Sequence, residues 1–331
     1  MGMPNVITHG LLAKETLKQL PVSVVKDAIA KYPQAYLFGS NGPDFLFYYN
    51  VWPWLNQKES LRVGEFGEMI HRSKINDFTD AMVTKTLELS GKAKMIFTSF
   101  LAGYLTHWSL DTIAHPFVFY RSGIIAGDTK YWHFRFESML DALMVKEVFK
   151  EDLSNYPTRN FMKLSSEEKK VIAVGVSETF TAVYQEEMKV SEALKCMNHA
   201  YGVLKFLFDP HTKWFPKVQE FEKKRNILWK YSSHMVIGEL DKEYDVLNKG
   251  HAVWRNPTDP LSEFTESFVE LFDQAKERAI LAICRLDDML HGNVISMANV
   301  LQDRQFNTGT HDGRKMVVFD SIYEKSGDFS R

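Results

Sequence analysis

Five imidazole and carboxylate side chains recur at steps of four along two neighbouring stretches: His107, Asp111 and His115, then His133 and Glu137. Four residues is slightly more than one helical turn, so each set shares one helix face. The flanking Phe100, Leu101, Tyr104, Leu105, Trp108 and Ile113 are apolar. Polar groups on a buried face need partners, and metal ions are the usual partner for this residue set. The structural alternative is a network of His–Asp hydrogen bonds in a helical core.

Length separates these two readings. On a helix, His107 and His115 stand roughly 12 Å apart along the axis, whereas a zinc–ligand bond is only about 2 Å. One ion does not hold both histidines. Asp111, halfway between them, is placed to bridge two ions, so the stretch suggests a cluster.

Three more candidates precede it. His9 sits in Thr8-His9-Gly10 at the start of a helix that ends by Pro21, and His71 follows Met69 and Ile70 in a helical stretch over 64–90. Asp44 follows a tight turn, Gly42-Pro43, in an aromatic setting of Phe45, Phe47, Tyr48, Tyr49, Trp52 and Trp54. Few basic residues interleave with those rings, so they read as core or pocket wall rather than a base-stacking platform. Arg72 is either a solvated charge or a phosphate contact. Asp141 continues the four-step row after Glu137 and is either a surface aspartate or a group that orients a ligand histidine.

Helical periodicity must position all of these. A central helix is expected over 95–115, ended by Pro116, which disfavours helical geometry at the residue before it. A loop with Gly123 and Gly127 follows, then a helix over 132–150. Further on, Ser165-Ser166-Glu167-Glu168 is a helix start, with helical pattern to about Leu207 and a bend at Gly175. A charged helix is expected over 217–247. Phe264, Phe268, Leu271, Phe272, Ala275, Ala279, Ala282, Ile283, Leu286 and Leu290 mark an amphipathic one. Met316–Phe319 suits a short extended piece. The expected fold is all-α, with a metal-binding domain over 1–200 and a helical C-terminal extension over 201–331 that either stands apart or packs into the same domain.

Composition adds limits. The 331 residues are 45% hydrophobic, enough for a substantial core, and the net charge of −2 gives no global attraction to nucleic acid or anionic membrane. Cys196 and Cys284 read as free thiols. The N-terminus carries no secretory signal pattern, and no apolar run is long enough to span a membrane, so a cytoplasmic location is expected. No phosphate-binding glycine loop and no Gly-x-Ser-x-Gly turn occurs. The only His-Asp doublet, His311-Asp312, lies in a glycine-containing tail, and a di-iron carboxylate bundle expects paired Glu-x-x-His motifs where the spacing here is His-x-x-x-Glu with too few carboxylates. The remaining histidines, 199, 211, 234, 251 and 291, lack carboxylates at ligand spacing.

The ordered set His9, Asp44, His71, His107, Asp111, His115, His133, Glu137 resembles the zinc-dependent phospholipase C family, and more distantly the single-strand-specific zinc nucleases. The resemblance runs over roughly residues 5–150, less closely to about 200. It implies an all-helical fold around three zinc ions. Asp44, His71, His107 and Asp111 would form a first site, and His115, His133 and Glu137 a second. Asp111 would bridge to a third site that includes His9. Two departures stand out: the secreted enzymes begin on a tryptophan whose amine and carbonyl bind the third zinc, and their step from the bridging aspartate to the next histidine is longer than the four residues here.

The expected activity is metal-dependent phosphoester hydrolysis of the phospholipase C type, with two or three Zn2+ ions and a metal-activated water. Asp44 is either a ligand or the base that orients that water. The substrate would be a phosphoester small molecule or a phospholipid, with the aromatics after Asp44 and Trp108 as pocket wall. A non-catalytic metal-binding interaction module is the alternative, distinguished by whether the ligand set is closed or open to substrate.

Overall fold

A computed structural model describes residues 6–52, 54–123, 130–240 and 243–323 of the chain. The first half forms α1 (Val6–Gln19), α2 (Val24–Lys31), α3 (Pro33–Gly39), α4 (Gln57–Arg72), α5 (Ile75–Glu88), α6 (Gly91–Ser122) and α7 (Lys130–Leu143). The second half forms α8 (Ser166–Tyr184), α9 (Val190–Leu207), α10 (Phe215–Arg225), α11 (Phe268–Leu290) and α12 (Ala298–Leu301). The strands β1 (Phe208–Asp209) and β2 (Val236–Ile237) pair in parallel over two residues. The fold is all-α, as the periodicity requires.

The most apolar stretch becomes the core helix. Residues 96–112 of α6 are buried without interruption, as expected of a helix hydrophobic on every side. Helices α3 and α11 pack along it. The α3 crossing is very close: a Cβ on Gly103 would lie 2.1 Å from the Tyr36 carbonyl oxygen, so only glycine permits it. That approach lays the turn after α3 over His107. On the other side, Ser109 Oγ donates to the Ala275 carbonyl at 2.6 Å. Helix α11 starts at a capping box of Ser267 and Glu270 and buries the apolar stripe from Phe268 to Leu286, whereas Phe264 lies before the helix, 37% exposed and bridged to Trp254.

Several boundaries differ from the sequence reading. Helix α6 runs through Pro116 to Ser122. Losing one backbone bond at proline costs about 3 kcal/mol, and here Pro116, Phe117, Val118, Phe119 and Tyr120 are all buried, which offsets it. The expected loop therefore begins only at Gly123, and Gly127 lies outside the described residues. The stretch 64–90 is two helices, broken at Lys74, whose φ is 54°. Helix α8 begins at the expected Ser165–Glu168 capping box and passes through Gly175 unbroken; the chain instead leaves the helix at Gln185 in the left-handed region. The predicted helix over 217–247 stops at Arg225. Buried Glu222 accepts from the Trp229, Tyr231 and Ser232 amides and from Ser232 Oγ, which folds the chain back on itself. Residues 316–319 form no strand, although Val317 and Val318 both direct their amides to the Pro257 carbonyl.

Candidate metal centre

Five elements deliver the eight candidate residues to one place. His9 comes from α1, Asp44 from the 3-10 turn Gly42–Tyr48, and His71 from the last turn of α4. His107, Asp111 and His115 come from α6, and His133 and Glu137 from α7. All are buried except His115, which is 14% exposed at its side chain.

The contacts form a continuous chain. His71 Nε2 lies 3.0 Å from Asp44 Oδ1, and His107 Nε2 lies 3.7 Å from Asp44 Oδ2. His107 Nε2 is 3.1 Å from Asp111 Oδ2, while His9 and His115 approach Asp111 Oδ1 at 3.2 and 3.5 Å. His115 and His133 converge on Glu137 Oε1 at 3.6 and 3.3 Å. Two trios have mutually close ligand atoms: His9, His107 and Asp111, and Asp44, His71 and His107. His107 belongs to both.

These spacings fit a metal better than a hydrogen-bond network. His107 Nε2 and both Asp111 oxygens are buried without a hydrogen-bond partner among the described residues, although they lie within 3.1–3.5 Å of imidazole or carboxylate atoms. The separation is right for an N–H···O bond but the direction is wrong. Two ligands each about 2.0–2.1 Å from one ion at the tetrahedral angle are separated by about 3.3 Å. The donor set of imidazole nitrogens and carboxylate oxygens also suits zinc.

The electrostatics divide the histidines. Burial lowers His107, so its imidazole stays neutral, as a ligand must be. For Glu137 burial is outweighed by His133 and His115, which hold the carboxyl down at about 2. Burial also opposes ionisation of Asp111, yet the surrounding His107, His115 and His9 hold it well below the ordinary carboxylate range. Without metal the same carboxylates raise two imidazoles against the effect of burial: Asp44 raises His71, and Asp111 and Glu137 raise His115 to about 9, so an ion bound there would have to displace their protons.

Two histidines are oriented through their second nitrogen. His71 Nδ1 meets the Gly67 carbonyl at 2.7 Å, and His133 Nδ1 meets Ser122 Oγ at 3.0 Å. Ser122 lies in the helical extension past Pro116, where a helix ending at His115 leaves no place for it. Asp141 is buried and, among the described residues, is not hydrogen-bonded to an imidazole. It accepts from the Ile7 amide at 3.1 Å, the Thr8 amide at 2.7 Å and Thr8 Oγ at 2.8 Å, fixing the start of the helix that carries His9.

One side of the cluster opens into a cleft of about 720 Å³. Asp44, His71, His115, His133 and Glu137 border it; His9, His107 and Asp111 lie behind. Arg72 lines it too, paired with Glu68 at 2.7 Å. The expected aromatic wall is corrected. Of the rings after Asp44 only Phe47 reaches the cleft, and Trp108 is buried with its Nε1–H on the Arg304 carbonyl. Phe119, Met316 and Phe319 supply the other apolar surface. The segment from Gln305 to Phe319 walls the cleft; it lies too far from the motifs for any spacing rule to reveal it. The other histidines stand elsewhere: His199 Nδ1 accepts from the Asn50 amide, and His234 stacks on Phe134.

An all-helical chain with clustered imidazoles and carboxylates at the foot of a cleft is thus defined. A family model described as zinc dependent phospholipase C matches residues 8–193 and includes all eight candidates. The chain belongs to the zinc-dependent phospholipase C family. No curated protein and no solved structure matches it. Among the described residues no helix is long and apolar enough to cross a membrane.

Proposed function

We propose that this protein hydrolyses a phosphodiester bond at a zinc cluster, releasing a phosphorylated group as a phospholipase C does. The observation that carries the reading is that the converging cluster opens on one side into the cleft, leaving an approach for substrate. A purely structural metal site is closed.

The roles follow from position. Asp44, His71 and His107 would hold one ion, and His115, His133 and Glu137 a second. Asp111 would contribute to both and, with His9, to a third. Zinc held there would supply charge neutralisation at phosphate oxygens and a more acidic water. Asp44 touches two histidines and borders the cleft, so the same carboxylate orients the attacking water. Phe47, Phe119, Met316 and Phe319 give the cleft an apolar surface suited to the lipid part of a phospholipid.

The test combines metal analysis with hydrolysis assays. Purified protein is expected to contain two or three equivalents of zinc and to cleave bis(p-nitrophenyl) phosphate or vesicle phosphatidylcholine and phosphatidylglycerol. Chelation should abolish cleavage and added zinc restore it. Protein that binds zinc yet cleaves no phosphodiester would favour the non-catalytic module.

A further inference from the structure

We propose that Phe306 is a positioning residue of the metal centre, holding the His107 and His71 imidazoles by packing. The proposal rests on the metal reading of the site but assigns a residue far outside the segment matched by the family.

The need arises at His107. A metal-binding histidine usually has its second nitrogen hydrogen-bonded, which fixes the ring. His71 and His133 are tied in this way. His107 Nδ1 is buried and has no hydrogen-bond partner among the described residues. Yet His107 belongs to both candidate trios, with Nε2 facing Asp44 and Asp111 alike, so its rotation would remove a ligand atom from the middle of the cluster. Its orientation must come from packing.

Phe306 supplies much of that packing. It is fully buried, with its ring centroid 5.7 Å from that of His107 and 4.8 Å from that of His71. Its amide donates to the His71 carbonyl at 3.0 Å, so backbone and ring act on the same ligand. The His9 ring, 4.3 Å away, closes another side of His107.

The loop that carries Phe306 is itself fastened. Trp108 Nε1–H donates to the Arg304 carbonyl at 3.2 Å, one residue along α6 from His107. Within the loop, Arg304 Nη1 donates to the Gly309 carbonyl at 3.2 Å, and the Gln305 amide to the Thr310 carbonyl at 2.8 Å. A loop that only covered the core would not need its ring set against two ligand histidines while its Arg304 carbonyl is held by the helix that bears one of them.

The experiment measures metal binding by full-length protein, not activity. Phe306→Ala and the milder Phe306→Leu are compared with Phe180→Ala and Phe180→Leu. Phe180 is equally buried but packs on Phe66 and Tyr184. Zinc affinity is read by chelator competition, and ligand geometry by the visible spectrum of the cobalt-loaded protein. Phe306→Ala is expected to weaken the most affected ion about 10- to 100-fold, the usual cost of losing an orienting neighbour, and to alter the cobalt spectrum. Phe306→Leu should do so less. The Phe180 variants should lower thermal stability comparably while leaving affinity and spectrum unchanged. Should Phe306→Ala fail to fold, the Leu pair decides. Unchanged affinity and spectrum in the Phe306 variants, or equal losses in the Phe180 variants, overturn the proposal. If the unaltered protein binds no metal, the site reading itself falls; if it binds and only the Phe306 variants behave as wild type, only this inference does.

Discussion

His107 and His115 lie two helical turns apart on α6 and meet opposite oxygens of one carboxylate: His107 stands 3.1 Å from Asp111 Oδ2, His115 3.5 Å from Oδ1. The axial separation that forbids a shared ion is spanned by the aspartate between them. Asn in place of Asp111 keeps the shape but offers one oxygen and one NH2 group, which carries no lone pair for a metal. Asp111→Asn is therefore expected to lose at least one equivalent of zinc and at least about tenfold in the affinity of what remains. Elemental analysis after dialysis checks this; wild-type zinc content in the variant counts against the bridge.

Much of that site was legible because helical spacing is local information. The four-step rows of α6 and α7 place their side chains on one face whatever surrounds them, and burial of their neighbours follows from residue type. The expected end of α6 at His115 failed because the proline rule is a local cost. The burial of Phe117 and its neighbours, which offsets it, depends on elements far along the chain. The helix predicted past Arg225 failed in the same way, since Glu222 reads as one more surface charge until the chain turns back to meet it. The cleft wall from Gln305 onward has no ligand spacing to mark it.

Gly42 is the tightest point of the support around His107. Its φ is +50°, and a Cβ there would lie 2.0 Å from His107 Cδ2. Alanine would meet both the left-handed backbone penalty and a ring that cannot retreat through the packed core. Gly42→Ala is expected to cost about 2 kcal/mol or more of stability and to weaken zinc binding. Chemical denaturation of the chelated protein measures the first effect, and chelator competition the second. A variant as stable as wild type, with normal zinc affinity, would show that the turn moves freely.

Asp141 offers a way to perturb His9 without touching it. Its carboxylate takes the Ile7 and Thr8 amides at the start of α1, two residues and one residue before the histidine. Removing a helix cap costs about 1 kcal/mol, and buried amides left without a partner add to that. Asp141→Ala should lower stability by about 2–3 kcal/mol and selectively weaken the ion that His9 shares with Asp111. Zinc titration should then show one weakened equivalent with the others retained. Uniform loss of all equivalents would mean that the variant acts through global destabilisation.

His234 provides a pH signature that is read without bound metal, with Glu137 opposing the effect of burial and His133 adding to it. Burial pushes its imidazole down to about 3, and it stacks on Phe134 at 4.2 Å as a neutral ring. Unfolded, the same side chain titrates near 6.5. A folded pKa below the unfolded one means that the stability contribution is present above the unfolded pKa. It is lost as pH falls from 6.5 toward 3, because the unfolded chain takes up the proton first. Between pH 7 and pH 5 that amounts to about 2 kcal/mol. Zinc would impose its own pH dependence, so the measurement uses chelated protein: denaturation midpoints of wild type and His234→Phe at both pH values. The wild type is expected to lose about 2 kcal/mol more than the variant on acidification. Equal losses would mean that His234 takes up its proton as readily in the folded protein as in the unfolded chain, so that burial does not hold it neutral.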